Sequence, residues 1–248
     1  MRILITLYLM LVLTGPVFAD TVEPTDIAYL TGRFKAAQHP DFVKVSRHYA
    51  SRPNMWLRRE AYEAFRQMHA AAAQEGIKLT IRSATRNFYA QKWIWEAKWK
   101  GKRKVEGQRL NETLPNPGER ALKILEYSAM PGASRHHWGT DIDLNAFNNE
   151  YFESGEGLSV YLWLQDNAPH FGFCQTYSAK GEQRSNGYNE EKWHWSYMPL
   201  SAALTRQAGQ LLDNTGFGGF DGALTASAID ILNNYVLAID PACLKNAD

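Results

Sequence analysis

Ser134-Arg135-His136-His137-Trp138-Gly139-Thr140-Asp141-Ile142-Asp143 and Glu191-Lys192-Trp193-His194-Trp195 are the two stretches on which the reading of this chain turns. They offer imidazoles, carboxylates and a spare glutamate. Three such ligands, an open position for water and a neighbouring general base make up a catalytic zinc site. His136 and Asp143 are seven residues apart. A regular helix would bring them near one face, but Gly139 and the β-leaning Ile142 argue against one. A turn at Gly139 followed by a short strand can fold the Asp143 carboxylate back towards His136. In the second stretch, strand alternation sends Trp193 and Trp195 to one face and His194 to the other. Glu191 lies three positions before His194, so the chain must turn or bulge near Lys192 if both serve one site. Two histidines and one aspartate leave a zinc centre net positive, which favours ionisation of a bound water. Glu191, outside the ligand set, is placed to take a proton from that water and pass it to a leaving amine. His137 and Asp141 stay open as alternative ligands beside His136 and Asp143. Glu190 reads as a surface charge.

The remaining composition narrows the function classes. Met1-Arg2 is followed by an apolar run from Ile3 to Leu13, a Gly15-Pro16 break and Val17-Phe18-Ala19 before Asp20. That is the form of a secretory signal peptide over residues 1–19, with an uncleaved membrane anchor as the alternative. The run is short for a membrane-spanning helix, so no stable membrane insertion is expected after cleavage. Removing residues 1–19 takes away one basic and no acidic residue, so the net charge falls from +1 to zero. A nucleic-acid binder would carry a basic excess, and none is expected as a partner. Lys98, Lys100, Lys102, Arg103 and Lys104 cluster and read as a solvated loop. Two cysteines in an exported chain suggest a disulfide between Cys174 and Cys243.

Residues 20–248 read as a single domain with a motif-bearing core at about 55–200 and a C-terminal helical extension over 201–248. Residues 20–30 read as a loosely held arm. Apolar spacing predicts a helix over 56–74 and alternation a strand over 77–81. Asn87 is a cap for a helix over 88–99, and Asn116-Pro117 opens another to about Tyr127. Residues 100–116 read as a loop. Strands are expected at 140–144 and 193–197. Helices are expected at 158–170, at 201–212 with Ser201 as cap, and at 225–239. Helices and short strands without regular βαβ alternation point to an α+β domain, an antiparallel sheet with packed helices. The tryptophans 93, 95 and 99 read as core at this spacing, with sugar stacking as the alternative.

The pattern Ser-x-His-x-x-Gly-x-x-x-Asp followed by Glu-x-Trp-His resembles the VanY-type D-alanyl-D-alanine carboxypeptidase family of zinc peptidases. That family includes D-Ala-D-Ala dipeptidases and phage endolysins and shares its fold with the hedgehog signalling domain. A third block, Ser83-Ala84-Thr85-Arg86-Asn87-Phe88-Tyr89-Ala90-Gln91, is similar to the family's Ser-Gly-Tyr-Arg-Ser-x-x-x-Gln stretch between a strand and a helix. The three blocks occur in family order. The resemblance implies one zinc ion on His136, Asp143 and His194, Glu191 as general base, and Arg86 facing a scissile carbonyl or a substrate carboxylate. Arg82 is the less favoured alternative to Arg86. Ser134 and Gln91 become lesser substrate contacts. Thr85 departs from the family's usual Tyr. Asp141 departs from its usual small apolar residue and is placed to hydrogen-bond a ligand histidine. The implied function is an exported, periplasmic or extracellular peptidase acting on peptidoglycan stem peptides, best read as a carboxypeptidase releasing terminal D-alanine. An endopeptidase, an L,D-carboxypeptidase and a non-catalytic zinc-containing cell-wall binding module are the alternatives.

Overall fold

The computed structural model describes residues 26–245, so the expected leader over residues 1–19 lies outside the described part. The chain opens with α1 (Ile27–Leu30), then an antiparallel pair, β1 (Phe42–Lys44) and β2 (Trp56–Arg58). There follow α2 (Arg59–Gln74), β3 (Ile81–Ser83), α3 (Phe88–Trp99), α4 (Leu110–Thr113) and α5 (Pro117–Leu125). A 3-10 turn over Arg135–Trp138 leads into β4 (Asp141–Leu144). The second half holds α6 (Gly155–Asn167), β5 (Phe173–Cys174), β6 (His194–Tyr197), α7 (Met198–Leu211), α8 (Thr225–Ile229) and α9 (Pro241–Lys245). The central sheet runs β3-β4-β6-β5, each neighbouring pair antiparallel. The expected antiparallel sheet with packed helices is the fold observed.

The sheet has two unlike faces because strand side chains alternate. Ile142 and Leu144 of β4, Ile81 of β3 and Trp195 of β6 point one way into an apolar core. That core is completed by Phe65, Met68 and Ala72 of α2 and by Val160 and Leu164 of α6. The opposite face carries Asp141 and Asp143 on β4, paired across the ladder with Ser196 and His194 on β6. These polar residues are also buried, beneath the 135–138 turn and α7. A second apolar core lies among α3, α5, α7 and the C-terminal segment.

Several elements differ from the periodicity. Trp56–Arg58 is a strand rather than a first helical turn, because it pairs with β1. Residues 77–80 form no strand, and β3 begins at Ile81, where pairing with Leu144 becomes possible. Residues 100–116 include the short α4. Helix α7 begins at Met198 with Pro199 in its first turn, so Ser201 is a buried interior residue and not the cap. The expected helix over 225–239 breaks at Asp230, which adopts φ 54° while its carboxylate accepts from the Asn214 and Asn233 amides. Residues 27–30 are not loose. Leu30 is buried, its carbonyl accepts from Trp138 Nε1 at 3.1 Å, and the Tyr29 hydroxyl donates to the Trp138 carbonyl.

The Asn87 and Asn116 caps form as the sequence predicts, accepting from the Ala90 and from the Gly118 and Glu119 amides. Cys174 on β5 and Cys243 on α9 are joined in a disulfide, with Cα atoms 5.6 Å apart across a separation of 69 residues. It fastens the C-terminal segment to the sheet edge. Nearby, Asp240 accepts from the Ser178 hydroxyl, and its amide donates to the Thr176 carbonyl at 2.9 Å. The segment from 175 to 191 is thereby held on its way to Glu191.

Gly139 is the hinge between the 135–138 turn and β4. Its φ is +76°, and an added Cβ would collide with the Phe42 ring and lie 3.2 Å from the Arg58 amide nitrogen. Gly139→Ala should therefore cost about 2–4 kcal/mol of stability, left-handed strain and overpacking together. Urea denaturation reads this directly, and a loss under about 0.5 kcal/mol would contradict it.

Candidate metal centre

The 135–138 turn, β4, β6 and the bend before β6 deliver the site. Gly139 reverses the chain, so His136 Nε2 comes to 3.3 Å from Asp143 Oδ1. The chain turns at Lys192 and Trp193, with the His194 amide donating to the Glu191 carbonyl at 3.1 Å. That turn sets Glu191 Oε2 3.6 Å from His194 Nδ1. One ligand atom from each of His136, Asp143 and His194 lies within 4.8 Å of the others, and all three residues are buried.

The second nitrogen of each imidazole fixes which atom faces the centre. His136 Nδ1 lies 2.9 Å from the Ala84 carbonyl, which accepts only, so Nδ1 carries the hydrogen and Nε2 is left with its lone pair. That Nε2 is buried and has no hydrogen-bond partner. His194 Nε2 donates to Asp141 Oδ2 at 2.9 Å, which leaves Nδ1 towards Asp143 Oδ1 at 3.2 Å. The rings cross at 86° with centroids 4.8 Å apart. Two imidazole lone pairs and a carboxylate oxygen converging among buried residues fit a zinc ion. The orphaned His136 nitrogen is the observation that carries the fit, since a buried acceptor without a partner is costly.

The charge of the pocket makes the same demand. Burial alone would depress the His194 proton affinity, but Asp141 and Asp143 outweigh it and hold the imidazole up to about 9. Asp143 is opposed by burial yet lies well below the usual carboxylate range because of His136 and His194. The site therefore draws a positive charge to the point between them. Burial pushes Glu191 up to about 8, with Asp143 adding to it and His194, Arg86 and Lys98 opposing it.

Asp141 is the hub behind the candidate ligands. Its carboxylate accepts from His194 Nε2, Arg135 Nε at 3.1 Å, Thr140 Oγ1 at 2.7 Å and Ser196 Oγ at 2.7 Å. Arg135 is itself buried, donates to Thr205 Oγ1 and Ser196 Oγ, and stacks on Trp138. Reading the sequence missed Arg135, Ser196 and Thr205. Two signals were available: Arg135 adjoins the first histidine, and Ser196 alternates with His194. His137 faces away from the centre. Its Nδ1 donates to the Arg86 carbonyl at 2.6 Å, and its Nε2 accepts from the Gly132 amide at 3.1 Å.

Arg86, Ser134, His136, Glu191 and His194 line one cleft together with Tyr127, Tyr177 and Tyr188. The Arg86 guanidinium is 3.9 Å from Asp143 Oδ2. Gln91 is not in the cleft wall; its amide donates to the Ala129 carbonyl at 2.8 Å and braces the segment behind Ser134. Tyr188 Oη is buried without a hydrogen-bond partner. Trp95 is core, whereas Trp93 is 71% exposed and not core as its spacing suggested.

Residues 54–200 match the VanY family, D-alanyl-D-alanine carboxypeptidase, and the chain belongs to that family. YodJ of Bacillus subtilis, which carries a carboxypeptidase name, is 32% identical over 159 residues, 63% of this chain. The chain spans about half of that relative's length, 51%. Among solved structures, the LdcB LD-carboxypeptidase superposes with a TM-score of 0.50 and 25% identity, covering 73% of this chain and 77% of that one. The D,D-pentapeptidase VanY of a VanB-type vancomycin resistance cassette, solved with Zn(II), gives 0.50 and 24%, covering 71% and 88%. The last of these is a likeness of fold.

The donor set predicts that zinc stabilises the folded chain by mass action, about 2.7 kcal/mol at a hundredfold excess over its dissociation constant. Thermal melts of chelator-stripped protein should shift upward with added zinc, and His136→Ala should remove the shift. Asp141→Asn should weaken zinc binding roughly 10- to 100-fold in a competing-chelator titration. A wild-type affinity in that variant would contradict the hub.

Proposed function

We propose that this chain is an exported zinc-dependent peptidase that removes a terminal D-alanine from peptidoglycan stem peptides. The observation that carries the proposal is the convergence of an unpartnered His136 Nε2, His194 Nδ1 and Asp143 beside a buried Glu191. His136, Asp143 and His194 would hold one zinc ion. When bound, zinc supplies a Lewis acid that lowers the pKa of a water and polarises a carbonyl.

The chain's own groups do the rest. Glu191 Oε2 holds the proton lost by the attacking water and returns it to the leaving nitrogen. Arg86 presents a planar fork of donors to the oxygen on which charge develops. Asp141 keeps the His194 ring in one tautomer, and His137 holds the Arg86 backbone. Ser134 adds a hydroxyl to the cleft wall. Export is supported by the leader-like residues 1–19 and by the disulfide, which persists in oxidising compartments. Among the described residues no helix is long and apolar enough to cross a membrane.

A second reading, L,D-cleavage of a tetrapeptide, is favoured by the likeness to the LdcB LD-carboxypeptidase. Mass spectrometry of defined muropeptides, with and without chelator, separates the two. Loss of one alanine from pentapeptide supports D,D-cleavage, and loss from tetrapeptide supports L,D-cleavage. Cleavage of crosslinked dimers would indicate an endopeptidase, and no product with zinc retained a binding module. Glu191→Gln should lower kcat by about 10²- to 10⁴-fold while zinc stays bound. Turnover at the wild-type rate in that variant would refute the assignment.

A further inference from the structure

Among the described residues, three of the cleft wall carry a buried polar atom with no hydrogen-bond partner in the fold: His136 Nε2, Arg86 Nε and Tyr188 Oη. The first faces Asp143 Oδ1 and belongs to the metal centre. The second belongs to a guanidinium turned towards Asp143 Oδ2. The Tyr188 hydroxyl has no part in the chemistry described so far. It is not an open rim group either: Tyr188 is 3% exposed, whereas Tyr127 of the same cleft is 42% exposed.

The phenol is held in place on several sides. Its ring meets Tyr177 at 63° with centroids 4.8 Å apart, and Tyr177 in turn lies 4.6 Å from the His194 ring. Tyr235 packs on it from the C-terminal segment, with centroids 5.1 Å apart and planes at 65°. The Tyr188 carbonyl accepts from Arg184 Nη1 at 2.9 Å, and the next amide, that of Asn189, donates to the Glu126 carbonyl at 2.9 Å. Gly187 lets this loop lie close on the C-terminal segment. At its φ of +88°, an added Cβ would stand 2.7 Å from the Ala238 carbonyl oxygen. Arg184 and Glu126, which hold the backbone, stand outside the cleft wall, so the phenol side chain is what Tyr188 contributes to it. A phenol oxygen lies on the axis of its ring, so turning the ring does not carry it to a new partner. Burial, reinforced by Tyr177, Tyr235 and Glu191 against Arg86, holds the phenol well above its usual range. The oxygen therefore keeps its hydrogen near neutrality. A buried donor without an acceptor is an uncompensated cost that an incoming acceptor relieves.

We infer that Tyr188 is a substrate-binding residue whose hydroxyl donates to a carbonyl or carboxylate oxygen of the bound peptide. The inference rests on the peptidase reading and deepens it. With Arg86 it makes a pair of fixed donors in the cleft, one just before α3 and one three residues before Glu191. The C-terminal segment helps to set it, since Tyr235 lies beyond the matched span 54–200. A buried hydroxyl given to one substrate oxygen also discriminates against a ligand that lacks that oxygen, because the hydroxyl is then left unpaired.

The test separates the hydroxyl from the ring and measures binding rather than turnover. Tyr188→Phe keeps the packing on Tyr177 and Tyr235 and removes the donor. Zinc-loaded Glu191→Gln protein is titrated calorimetrically with acetyl-γ-D-Glu-L-Lys-D-Ala-D-Ala and with the peptide one alanine shorter, each also as its C-terminal carboxamide. With the tighter-binding acid, adding Tyr188→Phe should lower affinity about 3- to 10-fold where a carbonyl is the acceptor, and about 10- to 100-fold where the terminal carboxylate is. In the first case the carboxamide suffers the same loss, and in the second its loss is smaller. Without peptide, the Phe variant should melt at or above the temperature of its parent and hold zinc equally tightly, because no bond within the fold is removed. An affinity loss under twofold for every peptide overturns the inference. So does a lower melting temperature or weaker zinc binding without peptide, which would give the hydroxyl a partner within the fold. No binding of any peptide by the parent protein also overturns it. If wild-type protein cleaves its peptide but the Phe variant binds normally, the peptidase reading stands and the role of Tyr188 falls. If the binding losses appear but wild-type protein cleaves nothing, the hydrolase reading fails and the donor site stands.

Discussion

A fully buried carboxylate, Asp141, imposes the constraint that the site is built around. An ion taken out of water is tolerated only when hydrogen bonds and opposite charge replace its hydration. Asp141 obtains both from Arg135, His194, Thr140 and Ser196. Arg135, also buried, needs its remaining donors satisfied, and Thr205 and Ser196 accept from them. Each requirement recruits another element: the 135–138 turn through Arg135, β6 through His194 and Ser196, α7 through Thr205. The network thus locks the His194 ring at the angle that leaves Nδ1 facing His136 and Asp143. Removing one partner would strand a charge in the interior, so the arrangement is held more firmly than its separate hydrogen bonds suggest.

The two-faced sheet makes this possible. One face is anchored by Ile81, Ile142, Leu144 and Trp195 against α2 and α6, which fixes the strands rigidly. The other face can then carry charged groups in a set register, with Asp143 opposite His194 and Asp141 opposite Ser196. The C-terminal segment contributes from outside the span matched to the family. Through the disulfide and Asp240 it holds the stretch after β5, and Arg184 ties that stretch internally through the Tyr188 and Asn186 carbonyls. Tyr177, Tyr188 and Glu191 all sit on this stretch, so one wall of the cleft depends on a segment remote in sequence.

Much was legible where chemistry is local. The Asn87 and Asn116 caps are set by a side chain and an amide two or three residues away, so sequence suffices to place them. The turn at Gly139 and the bend near Lys192 followed from asking what would bring spaced residues together. What failed was local pattern overridden by pairing. Trp56–Arg58 has helical spacing but is claimed by β1, and the apolar run after Thr225 is interrupted because the Asn214 and Asn233 amides hold the Asp230 carboxylate. Trp93 shares the spacing of its buried neighbour Trp95 but is exposed, because a helix turns successive aromatics to different sides.

The sequence by itself determined the ordered blocks, the donor types for a metal, the alternation of His194 against Trp193 and Trp195, and the family. These rest on residue identity and on short-range geometry, which the chain carries wherever it folds. Only the tertiary structure decided which nitrogen of each histidine faces the centre, that His137 turns away, and that Asp141 sits behind His194. Those depend on partners 50 or more residues distant, such as Ala84 for His136 and Asp141 for His194. A hydrogen bond's direction is set by where its partner lies in space, and sequence spacing does not encode that.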